Sequence, residues 1–166
     1  TFNLIDFQAD YKYLNIEKYT FTLNSVLYTG TTFFKELEGA QRRKTIKKRN
    51  RAYEGSVRHF MRSLYKKSLK KEGFILAKDG FKVKPDKAFN ILVDDNDGFR
   101  TLSLQERLDI FYDGDEESVI VPDIDQFQID KYGNHVPISG VLFGGAMGNR
   151  RVGDMLPSDY GLETSK

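Results

Sequence analysis

The sequence contains no cysteine and no tryptophan, only two histidines and only four prolines. Each scarcity removes a class of chemistry. Without thiols there can be no disulfide, thiolate zinc site or cysteine nucleophile, which suits an oxidising compartment and is equally compatible with a reducing one. His59 and His135 lie far apart in the chain and neither belongs to an HExxH-type pair, so no metal, cofactor or catalytic constellation is assigned. No segment approaches the ~18 consecutive apolar residues of a helical membrane span. The first residues show no basic-then-apolar signal pattern, as would also hold for a trimmed secreted chain.

What is present is aromatic and electrically lopsided. The 166 residues fit one domain of ordinary size, and 13 Phe with 9 Tyr make rings the main core material. The net charge of +2 conceals two opposed regions. Residues 42–71 hold 13 of the 26 Lys and Arg against one acid, Glu54, whereas residues 94–130 hold 12 of the 24 acids against Arg100 and Arg107.

The opening third reads as strands. Tyr19, Phe21 and Leu23 alternate with Thr20 and Thr22, Asn24-Ser25 reads as a turn before Val26-Leu27-Tyr28, and Gly30 closes the segment. From about residue 40 to 72 the period becomes helical. Tyr53, Val57, Phe60, Met61, Leu64 and Ser68 form one stripe, with Arg58, Arg62, Lys66 and Lys70 on other faces. Gly73 is placed as a left-handed stop, with Phe74 returning to Leu69, and Lys70 and Lys71 complement the negative end of the helix. One helix of that length would run roughly 50 Å, so a break is expected at Gly55-Ser56, with Ser56 capping the second half.

Beyond the helix, Asp79-Gly80 between residues 75–78 and 81–84 predicts a two-residue hairpin. Residues 89–93, 119–121, 127–129 and 136–143 read as further strands, and Leu102, Leu104, Leu108, Ile110 and Tyr112 as one or two elements more. The glycine-rich run 144–148 is neither a Walker loop nor GxGxxG and reads as a flexible loop. The polar end after Tyr160 reads as a loose tail.

The densest candidate contact is the run 41–51, with Arg42, Arg43, Lys44, Lys47, Lys48, Arg49 and Arg51. Such charge could neutralise phosphates. No helix-turn-helix, zinc finger or RNP-like aromatic pattern accompanies it, so nucleic acid is disfavoured against a solvated face, an acidic protein or an anionic head group. The acidic turn 94–98 does not match a calcium loop, because Val93 and Leu104 occupy positions that need oxygen ligands. The acidic run 113–117 is likewise read as a solvated turn. Ser63 and Lys66 have Ser-x-x-Lys spacing, but the companion motifs Ser-Asp-Asn and Lys-Thr-Gly are absent. Carboxylates are plentiful and none stands out as a glycosidase-like acid/base pair.

Two stretches resemble a known family. The first is Arg51-Ala52-Tyr53-Glu54-Gly55-Ser56-Val57-Arg58-His59-Phe60-Met61-Arg62-Ser63-Leu64, continuing to Lys71-Glu72-Gly73-Phe74. The second is Asp130-Lys131-Tyr132-Gly133-Asn134 followed by Arg151-Val152-Gly153-Asp154-Met155-Leu156-Pro157-Ser158-Asp159-Tyr160. In this order they resemble the region downstream of the regulatory β-sandwich in carboxypeptidase-like regulatory domain-containing proteins of the Bacteroidota cell envelope. The resemblance covers most of residues 33–160. Gly153 departs from the alanine of that pattern, and the glycines of 145–148 from a stretch often aromatic. The resemblance implies an exported protein of the periplasm, outer membrane or cell surface, and no peptidase activity. Its signature residues here are Tyr53, Gly55, Ser56, His59, Phe60, Arg62, Leu64, Gly73, Phe74, Arg151, Asp154, Pro157 and Tyr160. Read as residues, they are structural: Tyr53, Phe60 and Leu64 on a buried stripe, Gly55 at a close approach, Gly73 at a helix stop.

These readings combine into an α+β fold, a mixed, largely antiparallel sheet packed by one principal amphipathic helix with a basic helical extension. One domain is expected over 1–160, with a flexible tail at 161–166. Residues 1–32 belong to it or form a linker or the remnant of an upstream β domain. The expected function is a non-enzymatic structural or interaction module of the bacterial envelope, an accessory of an outer-membrane assembly that contacts another envelope protein. The alternative is a nucleic-acid- or polyanion-binding domain acting through 42–51. A hydrolase with an unidentified carboxylate site comes third.

Overall fold

Turns and caps cut the chain into short elements in the computed structural model, which describes residues 1–15, 20–36, 38, 42–94, 98–150 and 152–162. They fall into two units, Thr1–Glu38 and Gly39–Lys166, where the sequence pattern suggests one domain over 1–160.

The first unit is a ribbon of two antiparallel strands, β1 (Phe2–Asn15) and β2 (Thr20–Thr32). The turn expected at Asn24-Ser25 does not form. Asp10 faces Ser25 and Tyr11 faces Leu23, so Asn24 is an extra residue, a bulge inside a continuous strand. Tyr19 lies outside the described residues.

The second unit begins with helices α1 (Arg43–Tyr53) and α2 (Val57–Tyr65), followed by β3 (Phe74–Lys78), β4 (Phe81–Val83) and the single turn α3 (Pro85–Ala88). Then come β5 (Asn90–Asp94), β6 (Phe99–Ser103), β7 (Leu108–Tyr112), β8 (Glu116–Pro122), β9 (Gln126–Asp130), β10 (His135–Val136), β11 (Val141–Gly144) and α4 (Gly145–Gly148). The strands make two antiparallel sheets, ordered β10-β9-β6-β5 and β11-β8-β7-β3-β4. The fold is thus α+β, with antiparallel pairing as the dominant pattern.

Local chemistry explains several boundaries. Asp79 and Gly80 take φ of 49° and 81°, the geometry of a tight hairpin between β3 and β4. The acidic turn after β5 includes residues 95–97, which lie outside the described residues. The helical stripe breaks at Gly55-Ser56 as its sequence suggests, but α2 ends at Tyr65 and does not reach 72. Lys67 adopts φ 55°, its N–H donates to Leu64 O at 3.0 Å, and Ser68 N–H donates to Ser63 O at 2.7 Å. That is a Schellman closure with lysine in the left-handed position. A second closure follows, with Gly73 at φ 85° and Phe74 N–H donating to Leu69 O at 2.9 Å. Gly73 therefore does stop a turn, though not the helix.

Two further expectations are corrected. Residues 136–143 are not one strand. Pro137 offers no N–H to extend the ladder, and a 3-10 turn (Ile138–Gly140) separates β10 from β11. Residues 145–148 are a helical turn, α4, fixed by buried Met147, whose N–H donates to Ser118 Oγ at 3.1 Å.

One apolar cluster fills the unit. Phe60, Met61 and Leu64 of α2 join Phe74, Leu76, Ile110 and Ile120 of the five-stranded sheet and Leu102, Phe127 and Ile129 of the four-stranded sheet. The Phe60 ring meets Phe74 edge-on at 5.4 Å. Each such side chain contributes about 1.5–3 kcal/mol on burial. The cluster anchors α2, which in turn positions the polar groups on its remaining sides.

Candidate functional site

The site is organised by the break between the helices. Gly55 takes φ +66°, and a Cβ there would sit 2.5 Å from Glu116 Oε2 and 2.8 Å from Tyr112 Cδ1. Only glycine meets both demands. Ser56 then caps α2, its Oγ accepting from His59 N–H at 3.1 Å.

His59 is 5% exposed and lies among the rings of Tyr53 (4.8 Å), Phe74 (4.9 Å) and Tyr112 (5.5 Å). Its Nδ1 accepts from Gly55 N–H at 3.2 Å, which places the proton of the neutral ring on Nε2, 3.4 Å from Glu72 Oε2. Burial lowers its pKa, against the opposing pull of Glu72. Both ring nitrogens are engaged, and the accessible member of the pair is the carboxylate. A catalytic triad has the opposite order, a buried carboxylate orienting an accessible imidazole.

Arg62, placed by its helical period on an outer face, is 2% exposed. Its Nε donates to Tyr132 O at 3.0 Å, Nη1 to Tyr53 OH at 3.3 Å and to Tyr160 O, and Nη2 to Ser158 O. Arg58, one turn earlier, donates to Leu156 O at 2.6 Å and Pro157 O at 2.9 Å. Burial, then the neighbouring Arg62, lowers the Arg58 pKa. Arg150 donates to Arg51 O at 3.0 Å, Glu54 O at 2.7 Å and Glu116 Oε2 at 3.3 Å. Asp130 shapes the loop that Arg62 holds, accepting from Tyr132 N–H at 2.8 Å and from Asn134 N–H at 2.9 Å. The two stretches that carry the resemblance are therefore one interlock, arginines of the first gripping backbone carbonyls of the second. A buried guanidinium is tolerable when its fixed fork of donors is satisfied.

Tyr53, Gly55, Ser56, His59, Arg62, Gly73, Pro157 and Tyr160 meet in or beside this interlock, while Phe60, Leu64 and Phe74 sit in the core. Asp154 is exposed in a 3-10 turn (Val152–Asp154), and Arg151 lies outside the described residues. Arg58, Glu72, Tyr112 and Arg150 were not singled out from sequence as site residues. The i, i+4 spacing of Arg58 and Arg62 was the available signal. Ser63 is buried with its hydroxyl donating to His59 O at 2.7 Å, and Lys66 is exposed, so the Ser-x-x-Lys spacing builds no nucleophile.

The basic run occupies α1, a helix with no buried residue, on which even Ile46 is 40% exposed. Arg42, Arg43, Lys44, Lys47, Lys48 and Arg51 are exposed and make no side-chain ion pair among the described residues, while Arg49 is half-buried. The far end of the helix is tied down by Tyr160 OH, which donates to Asn50 Oδ1 at 2.6 Å.

Where α1 ends, the surface opens into a cleft of about 820 Å³. Tyr53, Tyr112 and Tyr160 line it together with Glu54, Glu72 and Asp113. Among the described residues no three His, Asp or Glu side chains are gathered as a metal ion would need, and no helix is long and apolar enough to cross a membrane. Comparisons with family models, with curated proteins and with solved structures found no match to this chain.

Proposed function

We propose that this chain is a non-enzymatic structural or interaction module of the bacterial cell envelope, an accessory of an outer-membrane assembly whose partner is another envelope protein. The observation that carries the non-catalytic part is the interlock. Arg62 donates to three carbonyls and a phenol, and both nitrogens of His59 are taken, so the residues of the resemblance hold the fold together. The envelope part rests on the likeness of residues 51–74 and 130–160 to the Bacteroidota family. Fractionating cells that express the full-length gene product tests it: recovery with periplasm or outer membrane supports the reading, and recovery in cytosol with no export signal upstream overturns it.

A second reading has its own support. The exposed bases of α1, without ion-pair partners among the described residues, suit a polyanion or anionic head group. Retention on heparin should then fall steeply with salt and vanish when Arg42, Arg43, Lys47 and Lys48 are changed to Gln. Retention that survives those changes removes this reading.

A further inference from the structure

The cleft beside the break between α1 and α2 has a composition that the interlock does not explain. Its volume of about 820 Å³ lies within the ~300–1,000 Å³ of small-ligand sites. Three half-buried phenols, Tyr53, Tyr112 and Tyr160, face it from three separate segments of the chain. Its charged lining is Glu54, Glu72 and Asp113 against Lys71, three carboxylates to one ammonium in a protein of net charge +2. Burial, and then Glu54, Asp113, Glu116 and Glu72, raise the Tyr112 pKa, as expected of a negative enclosure. At Tyr160 burial and Glu54 act the same way, against Arg49. Glu72 is not a freely sweeping side chain, because buried His59 holds one of its oxygens. The fold already sets a cation on one of these rings, with the Arg62 guanidinium 5.3 Å from the Tyr53 centroid.

Aromatic faces attract cations through their quadrupole, and adjoining carboxylates add a charged hydrogen-bond acceptor. We propose that this cleft is a binding site for a cationic side chain, a lysine or arginine presented by a partner peptide, held between the tyrosine rings and the carboxylates of Glu54 and Glu72. A neutral sugar would use the rings equally well but would gain nothing from the net negative lining. The site takes Tyr53 from the end of the basic helix but none of that helix's Lys or Arg side chains, and it does not depend on the compartment in which the protein works.

The test is an NMR titration of the full chain, following the tyrosine ring protons. The probes are acetyl-Gly-Lys-Gly-amide, the same peptide with Nε-acetylated lysine, and a disaccharide of N-acetylglucosamine. The lysine peptide should shift the Tyr53, Tyr112 and Tyr160 signals saturably, and acetylation should weaken binding about tenfold, the scale of a cation–π contact with a partly exposed ion pair. Glu54→Gln and Glu72→Gln should each weaken it about threefold or more, and Glu54→Gln, whose side chain does not hold His59 as Glu72 does, should do so with the urea midpoint unchanged. Equal binding of the acetylated peptide, binding of the disaccharide alone, or no shift of these rings with the lysine peptide at 10-millimolar order overturns the proposal.

Discussion

Basic side chains meet two fates in the unit Gly39–Lys166. On α1 and at its N-cap Arg42, six of them stand in solvent without an ion-pair partner among the described residues, on a helix that buries nothing. On and around α2, Arg58, Arg62 and Arg150 turn inward and donate to backbone carbonyls far along the chain. The residue type is nearly the same, and the difference lies in what surrounds it. Guanidinium carries five donors in a rigid fork, so it can satisfy several carbonyls at once where the core provides them. Where the core provides none, the same charge stays hydrated and is available to a partner. A positive run in sequence therefore has to be divided by burial before it is read as a binding surface.

That contrast can be broken by substitution, and the largest effect is expected at Arg62. Arg62→Ala leaves the carbonyls of Tyr132, Ser158 and Tyr160 and the Tyr53 phenol without their donor, at roughly 3–5 kcal/mol in urea unfolding. Arg62→Lys should recover little of it, since an ammonium lacks the fork. A loss below about 1 kcal/mol would place Arg62 with the α1 bases.

Gly55→Ala comes next, at roughly 2–3 kcal/mol, because the left-handed φ and the overlap with Glu116 and Tyr112 act together. An unchanged melting temperature would show that the break between the helices is not held as described.

A smaller effect comes with acid. The pKa of His59 and of His135 is lowered, chiefly by burial, so the unfolded chain binds their protons more readily than the folded one. Their contribution to stability is complete above the ordinary histidine value near 6.5 and is lost as pH falls through the lowered values. Urea midpoints between pH 7.5 and 5 should decline, and His59→Gln should shallow the decline. A decline equally steep in that variant would remove His59 as a contributor.

The smallest change in stability is expected on α1. Converting Arg42, Arg43, Lys47 and Lys48 to Gln together should move the folding free energy by about 0.5 kcal/mol or less, measured by the same urea titration. A large loss would mean that these side chains support the fold.

The parts of the molecule legible in sequence were those written in neighbouring residues. The break at Gly55-Ser56, the Ser56 cap and the Asp79-Gly80 hairpin each depend on a few adjacent side chains with strong backbone preferences. The end of α2 was not legible, because lysine seldom takes the left-handed conformation and Lys67 carries no local mark of doing so. Asn24 has turn chemistry, yet pairing with β1 absorbs it as a bulge. Of the interlock, the sequence shows both halves and not their junction. The carbonyl acceptors of Arg62 stand 70 to 98 residues away, so helical period alone sends that side chain to solvent. The cleft was hidden for the same reason, its tyrosines and carboxylates arriving from segments that only the folded chain brings together.

The central claim is that residues 53–74 and 130–160 form one interlock through α2, and amide hydrogen exchange in Arg62→Lys tests it most directly. Protection at Tyr132–Asn134 and at Tyr160–Leu162 should fall together, and by more than protection in the β5–β6 ladder, which falls only with the global stability. Exchange in those two segments that stays at the unmodified rate, or that changes in one and not the other, would contradict it.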